Sequence, residues 1–155
     1  MSENVYQIDF NKPESVHFIG IGGISMSGLA EILLKEGFRV SGSDSKESPL
    51  TQHLTELGAQ IAYPQAAANI PDDTRIIVYT AAIHPDNPEF IRAKELDVPM
   101  LTRAQLLGQI MAHYARSIAV AGTHGKTTTT SMISQVLLCG QEDPTISVGG
   151  ILKAI

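Results

Sequence analysis

Residues 16–30 read VHFIGIGGISMSGLA, and this stretch decides the fold. Val16 to Ile19 is a short apolar strand, and it ends in the turn Gly20-Ile21-Gly22-Gly23. From about Ser25 to Glu36 the residues Met26, Leu29, Ala30, Leu33 and Leu34 recur at helical spacing, with Gly37 as the stop. A strand that runs through a glycine turn straight into a helix opens a strand–helix–strand unit. The rest of the chain keeps that alternation.

Phe38–Ser41 reads as a second strand leading to Gly42-Ser43-Asp44. Ser48 caps a helix whose first turn holds Pro49 and which runs to Leu57-Gly58. Gln60–Ala62 is a brief third strand, and residues 75–79, RIIVY, are the clearest buried strand. The turn after it, Thr80-Ala81-Ala82-Ile83-His84-Pro85, is small and neutral. A helix over Pro88–Leu96, a strand at Val98–Leu101 and a helix through Leu106, Leu107, Ile110 and Met111 follow, with Thr102 and Gln105 at capping-box spacing. The last elements are a strand at 117–121, a helix from Lys126 to Leu138 stopped by Gly140, and a strand around Thr145–Val148. The alternation predicts a Rossmann-like, doubly wound α/β fold with a mostly parallel sheet covered on both faces. A boundary between Tyr114 and Ser117 separates a first domain, 1–115, from the opening of a second, 116–155.

The two glycine turns suit two different phosphate ligands. Gly20-Ile-Gly22-Gly23-Ile-Ser25 nearly fits Gly-x-Gly-x-x-Gly, with Ser25 in place of the third glycine. Its amides and the helix N-terminus can receive a pyrophosphate, and Asp44, at the end of the second strand, can bond a ribose hydroxyl. The alternative is a turn whose glycines only permit close packing. The second turn, GTHGKTTTT at 122–130, follows the apolar run Ile118-Ala119-Val120-Ala121. It lacks the first glycine of a strict Walker motif, where Val120 stands, yet the physical parts are there. Amides from Gly122, Thr123, His124 and Gly125 curl round phosphates, Lys126 reaches the β/γ oxygens, and the Thr127 hydroxyl, beside Thr128, can ligate Mg²⁺. The expected ligand is ATP.

Composition narrows the classes. A hydrophobic fraction of 43% fits a globular domain, and a net charge of −5 with no basic stretch argues against a nucleic-acid partner. The N-terminus has no signal-peptide core, and no apolar run approaches the roughly 18 residues of a membrane span, so a cytoplasmic location is expected. The five histidines show no spacing suited to a metal. Cys139 reads as a small buried apolar residue, and Asp72, Asp73 and Asp86 as helix or turn caps. An unpaired final strand would invite a second copy onto its edge, and a homodimer is one expected assembly.

Taken together, these stretches resemble the Mur ligases of bacterial cell-wall synthesis. The resemblance rests on residues 17–30, Ser41–Asp44, Ala81–Ile83 with Asn87-Pro88-Glu89, Arg103-Ala104, and residues 119–130. It implies a three-domain ATP-dependent ligase, of which this chain holds the UDP-binding domain and the beginning of the ATPase domain. The substrates implied are UDP-N-acetylmuramate and L-alanine, joined through an acyl phosphate, with ATP and Mg²⁺. It also implies that Gly20, Gly22, Gly23, Ser25, Met26, Ser27, Asp44, Thr80, Ala81, Ala82 and Arg103 face a UDP-sugar rather than NAD. Lys126 would neutralise charge on the transferring phosphoryl group, and the chain by itself is expected to make no product. The pattern departs from the family at Tyr63-Pro64, where many relatives carry Gly-His, and at Gln105, where many carry glutamate. Three rivals stand beside this reading: a ligase that attaches an intact peptide to the same sugar, a dinucleotide-binding oxidoreductase domain, and a pure binding module.

Overall fold

The fold was obtained as a computed structural model, which describes residues 5–148. The chain divides into two compact units at Tyr114/Ala115.

The first unit is built on a five-stranded, wholly parallel sheet: β1 (Ser15–Ile19), β2 (Arg39–Ser43), β3 (Gln60–Ala62), β4 (Ile76–Tyr79) and β5 (Met100–Thr102). The strands lie in the order β3-β2-β1-β4-β5. β1, between β2 and β4, is buried along its whole length. Alternation sends Val16 and Phe18 to one face and His17 and Ile19 to the other. On the first face pack α1 (Ile24–Lys35), α2 (Pro49–Glu56) and α4 (Arg103–His113), through Leu29, Leu33, Leu54, Leu106 and Ile110. On the second, α3 (Pro88–Glu95) covers a smaller cluster of Ile19, Ile70, Ile77 and Ala93, beside a single 3₁₀ turn at Ala67–Asn69. Helices on both faces of a parallel sheet match the doubly wound expectation.

Local chemistry sets the ends. Ser48 accepts from the Thr51 N–H and Pro49 opens α2, while Thr102 and Gln105 form a reciprocal capping box at the start of α4. β2 runs two residues further than the sequence suggested, because Gly42 and Ser43 stay in register with Phe18 and Ile19 of β1. The cap of α3 is Asn87 rather than Asp86, whose carboxylate lies 3.7 Å from His84, and Asp73 pairs with Arg39 at 2.7 Å.

The second unit departs from expectation. Its one element among the described residues is α5 (Lys126–Cys139). The strands predicted at 117–121 and around Thr145–Val148 do not form. A strand exists only in a ladder, and among the described residues no strand pairs with either segment. The strand edge behind the homodimer expectation is therefore missing. Cys139 is exposed rather than buried. Of α5 only Ser134 is buried, and Met132 and Val136 stand 65% and 71% exposed, since no second described element of this unit covers the helix.

Candidate functional site

The edge at the carboxyl ends of the strands gathers most of the residues singled out above. After β1 the chain turns at Gly20, whose φ of +83° is a left-handed value that favours glycine. The N–H groups of Gly20 and Ile21 both donate to the Ser43 carbonyl, each at 2.9 Å. The Gly22 N–H donates to Asp44 Oδ2 at 2.7 Å. A Cβ on Gly22 would lie 2.8 Å from that oxygen and 3.0 Å from Thr51 Cγ2, so a larger residue would push the Asp44 carboxylate away from the turn. Asp44 Oδ1 takes the Ser45 N–H at 2.7 Å. The carboxylate expected to face a ribose thus also braces the turn.

Gly23 caps α1 with no side chain to offer, and the first donor inside the helix is Ser27 N–H, 2.8 Å from the Gly23 carbonyl. The N–H groups of Ile24, Ser25 and Met26 therefore lack partners within the helix and carry the positive end of its dipole. Met26 is buried in the core and offers a ligand only its backbone. Ser27 offers neither donor, because its hydroxyl bonds the Ile24 carbonyl at 3.0 Å and its amide is already used. The turn after β4 lies alongside: a Cβ on Gly20 would sit 3.6 Å from Thr80 Cγ2. Thr80 Oγ1 accepts from Ala82 N–H at 3.3 Å, and Ala81 and Ala82 are exposed. Arg103 is half-buried at the start of α4, directly after β5, with no ion pair among the described residues.

Within the second unit, Gly125 caps α5 at φ +77°, and Thr129 N–H is the first intrahelical donor, 2.9 Å from the Gly125 carbonyl. The amides of Lys126, Thr127 and Thr128 lack helix partners in the same way. Lys126 Nζ donates to the Gly122 carbonyl at 2.6 Å and the Thr123 carbonyl at 3.3 Å. His124, Thr127 and Thr128 are exposed. Free amides, a lysine ammonium and hydroxyls form a donor set that fits a polyphosphate. For Mg²⁺ the fit is narrower. No group of three acidic, histidine or cysteine side chains converges among the described residues, so the Thr127 hydroxyl could serve a metal only together with phosphate oxygens.

One buried group was missed in the sequence. Glu89, in the first turn of α3, is fully buried behind the same edge. Its Oε1 accepts from Asn69 Nδ2 at 2.7 Å and Ala66 N–H at 3.1 Å, and its Oε2 accepts from the Ser43 hydroxyl. His17 Nδ1 meets Ser41 Oγ at 2.9 Å, and the buried Nε2, 3.6 Å from Glu89 Oε2, has no hydrogen-bond partner. Burial works to raise the Glu89 pKa, but the His17 imidazole and the bonds from Ser43 and Asn69 outweigh it and hold it below the ordinary carboxylate value. The sequence hinted only at a buried polar partner, through His17 inside an otherwise apolar strand, and did not point to Glu89.

An open parallel sheet with adjoining turns at the carboxyl ends of its strands is the architecture of α/β proteins that bind ligands at that edge. The model described as Mur ligase family, catalytic domain, matches residues 15–115, and the chain belongs to the Mur ligase family. It is 67% identical over 151 residues to the UDP-N-acetylmuramate–L-alanine ligase of Agathobacter rectalis, spanning 97% of this chain and 33% of that protein. The crystal structure of the UDP-N-acetylmuramate-alanine ligase MurC from Thermotoga maritima matches with a TM-score of 0.85 and 37% identity, over 92% of this chain and 33% of that one. The Neisseria meningitides UDP-N-acetylmuramate:L-alanyl-gamma-D-glutamyl-meso-diaminopimelate ligase matches at 0.82 and 32%, over 93% of this chain and 45% of that one. The chain spans about a third of the length of the curated relatives it matches. Family membership removes the oxidoreductase rival.

Proposed function

We propose that this chain is the UDP-sugar-binding domain of a UDP-N-acetylmuramate–L-alanine ligase, followed by the opening of its ATP-binding domain. The observation that carries the reading is the donor-rich rim at residues 20–26, where three helix amides stand free beside a turn braced by Asp44. Such a rim suits a diphosphate, whose charge the helix dipole favours. The Thr80–Ala82 turn and Arg103 would border the sugar. The L-alanine ligase is preferred to the peptide-attaching one because the relatives at 67% and 65% identity carry the former name.

In this reading the whole enzyme transfers the γ-phosphoryl group of ATP to the UDP-N-acetylmuramate carboxylate and releases ADP. The amino group of L-alanine then attacks the acyl phosphate, loses a proton and expels inorganic phosphate to leave the amide. Lys126 would leave the Gly122 and Thr123 carbonyls to meet ATP phosphates, and Thr127 would share Mg²⁺ with them. Placing Lys126 against the transferring group stabilises charge that develops there. A cytoplasmic site of action belongs to the same proposal, since two of the substrates, ATP and the UDP-sugar, are nucleotides.

The 155-residue chain is proposed to bind the UDP-sugar and form no product. In amide NMR, UDP-N-acetylmuramate should move the Gly23, Ile24 and Ser25 signals. Unmoved signals at saturating ligand contradict the site. Release of ADP that depends on L-alanine contradicts the inactivity.

A further inference from the structure

Building on the UDP-sugar reading, we infer that Glu89 is a positioning residue, which sets the glycine turn and the 64–69 segment from behind the sheet edge. The argument starts with three successive amides. Those of Gly20 and Ile21 both hang on the carbonyl of Ser43, and that of Gly22 hangs on the side chain of Asp44. The whole turn is therefore registered on residues 43 and 44. The Ser43 side chain, fully buried, is in turn fixed by its hydroxyl bond to Glu89 Oε2. Moving that oxygen moves Ser43, and Ser43 carries the turn with it.

The other carboxylate oxygen does a second task. Oε1 holds Ala66 N–H and Asn69 Nδ2, and Asn69 also reaches back to the Pro64 carbonyl at 2.9 Å. Asn87, two residues earlier, bonds the Gln65 side chain at 2.9 Å. The segment after β3 is thus clamped to the start of α3. That segment leaves the sheet beside Asp44, whose N–H bonds the Ala62 carbonyl at 3.3 Å. One buried carboxylate joins pieces 46 and 20 residues away in sequence: Ser43, on which the turn before α1 hangs, and the segment that follows β3.

Stability alone is a poor reason for such a group. A well-packed apolar side chain would often serve a core as well as a buried ionised network. A carboxylate gives fixed directions to several donors at once, which a binding site needs, because small displacements of its amides cost affinity. His17 extends the network. Its Nδ1 lies 2.9 Å from Ser41 Oγ and its Nε2 3.6 Å from Glu89 Oε2, and a proton on Nε2 would favour the ionised carboxylate.

The test uses the whole 155-residue chain, ¹⁵N-labelled, with UDP-N-acetylmuramate as the probe well below the melting temperature. Glu89→Gln keeps shape and loses charge, and Ser43→Ala cuts only the link to the turn. Both should shift the Gly20–Gly23 amide signals in the free protein and raise Kd about tenfold, roughly the worth of one mispositioned charged hydrogen bond. Asn69→Ala, which frees only the 64–69 segment, should leave the Gly20–Gly22 signals in place and raise Kd about threefold. If Glu89→Gln does not fold, the other two variants decide. Variants that melt earlier but keep the turn signals and the original Kd overturn the inference. Failure of the unaltered chain to bind UDP-N-acetylmuramate overturns the UDP-sugar reading instead, and the turn signals still judge the role of Glu89.

Discussion

Replacing Gly42 with alanine should strain the sheet and the glycine turn together. Gly42 lies in β2, in register with Phe18 of β1 and Ile61 of β3. A Cβ there would lie 2.7 Å from Ile21 Cδ1, 2.9 Å from Ile21 Cβ and 2.9 Å from the Phe18 carbonyl oxygen. The first contact can be relieved by rotating the isoleucine. The other two cannot, since one is a fixed side-chain root and the other is backbone in the central ladder. Restoring ordinary contact at 3.4 Å needs a displacement of about 0.5 Å, from 3.4 less 2.9, in a fully buried residue. Overpacking of this kind costs about 3 kcal/mol, the upper part of the usual range. At about 4 °C per kcal/mol for a chain of this size, Tm falls by about 12 °C. Gly28→Ala is the matched control: it lies inside α1, and a Cβ there meets nothing within 4 Å. It should gain about 0.5–1 kcal/mol from helix propensity and raise Tm by about 2–4 °C. Thermal unfolding followed by circular dichroism reads both. A Gly42→Ala protein melting within 2 °C of the parent would refute the steric reasoning.

Three further outcomes follow from the same structure. Lys126→Met should abolish measurable Mg-ATP binding by the whole ligase and leave the UDP-sugar affinity of the 155-residue chain unchanged, by calorimetry with each ligand. Glu89 is held below the ordinary glutamate value in the fold, so its contribution to stability is complete above that ordinary value and is lost as pH falls through the lowered one. Urea midpoints taken from pH 7 to pH 3 should therefore drop on the acid side, and Glu89→Gln should flatten the drop. At the start of α4, Thr102→Ala should cost about 1 kcal/mol, since it deletes the acceptor for Gln105 N–H. Gln105→Glu should be neutral or stabilise by about 0.5 kcal/mol, because the acceptor for Thr102 N–H remains and a negative charge meets the helix N-terminus.

Much of the first unit was legible because its signals are local. Apolar runs at 16–19 and 75–79, Gly37 as a helix stop, and the caps at Ser48 and Thr102 each act within a few residues. The second unit misled for the opposite reason. Ile118–Ala121 has the composition of a strand, but pairing is decided by a partner, and among the described residues none is present. The site was legible where sequence order places residues at one edge, as for Gly20, Gly22 and Asp44. It was illegible where side chains meet across the sheet. Glu89 reads as a first-turn helix acid until Ser43, Ala66 and Asn69 are seen to converge on it. Ser27 looked like part of the diphosphate segment, and only the fold shows both its donors already engaged.

The central claim is that the rim at residues 20–26 holds a uridine diphosphate sugar. Titration calorimetry of the 155-residue chain with UDP-N-acetylmuramate, UDP and NADH tests it most directly. The account predicts saturable heat with both uridine ligands, tighter for the sugar nucleotide, and none with NADH. Saturable binding of NADH with no heat from either uridine ligand would contradict it.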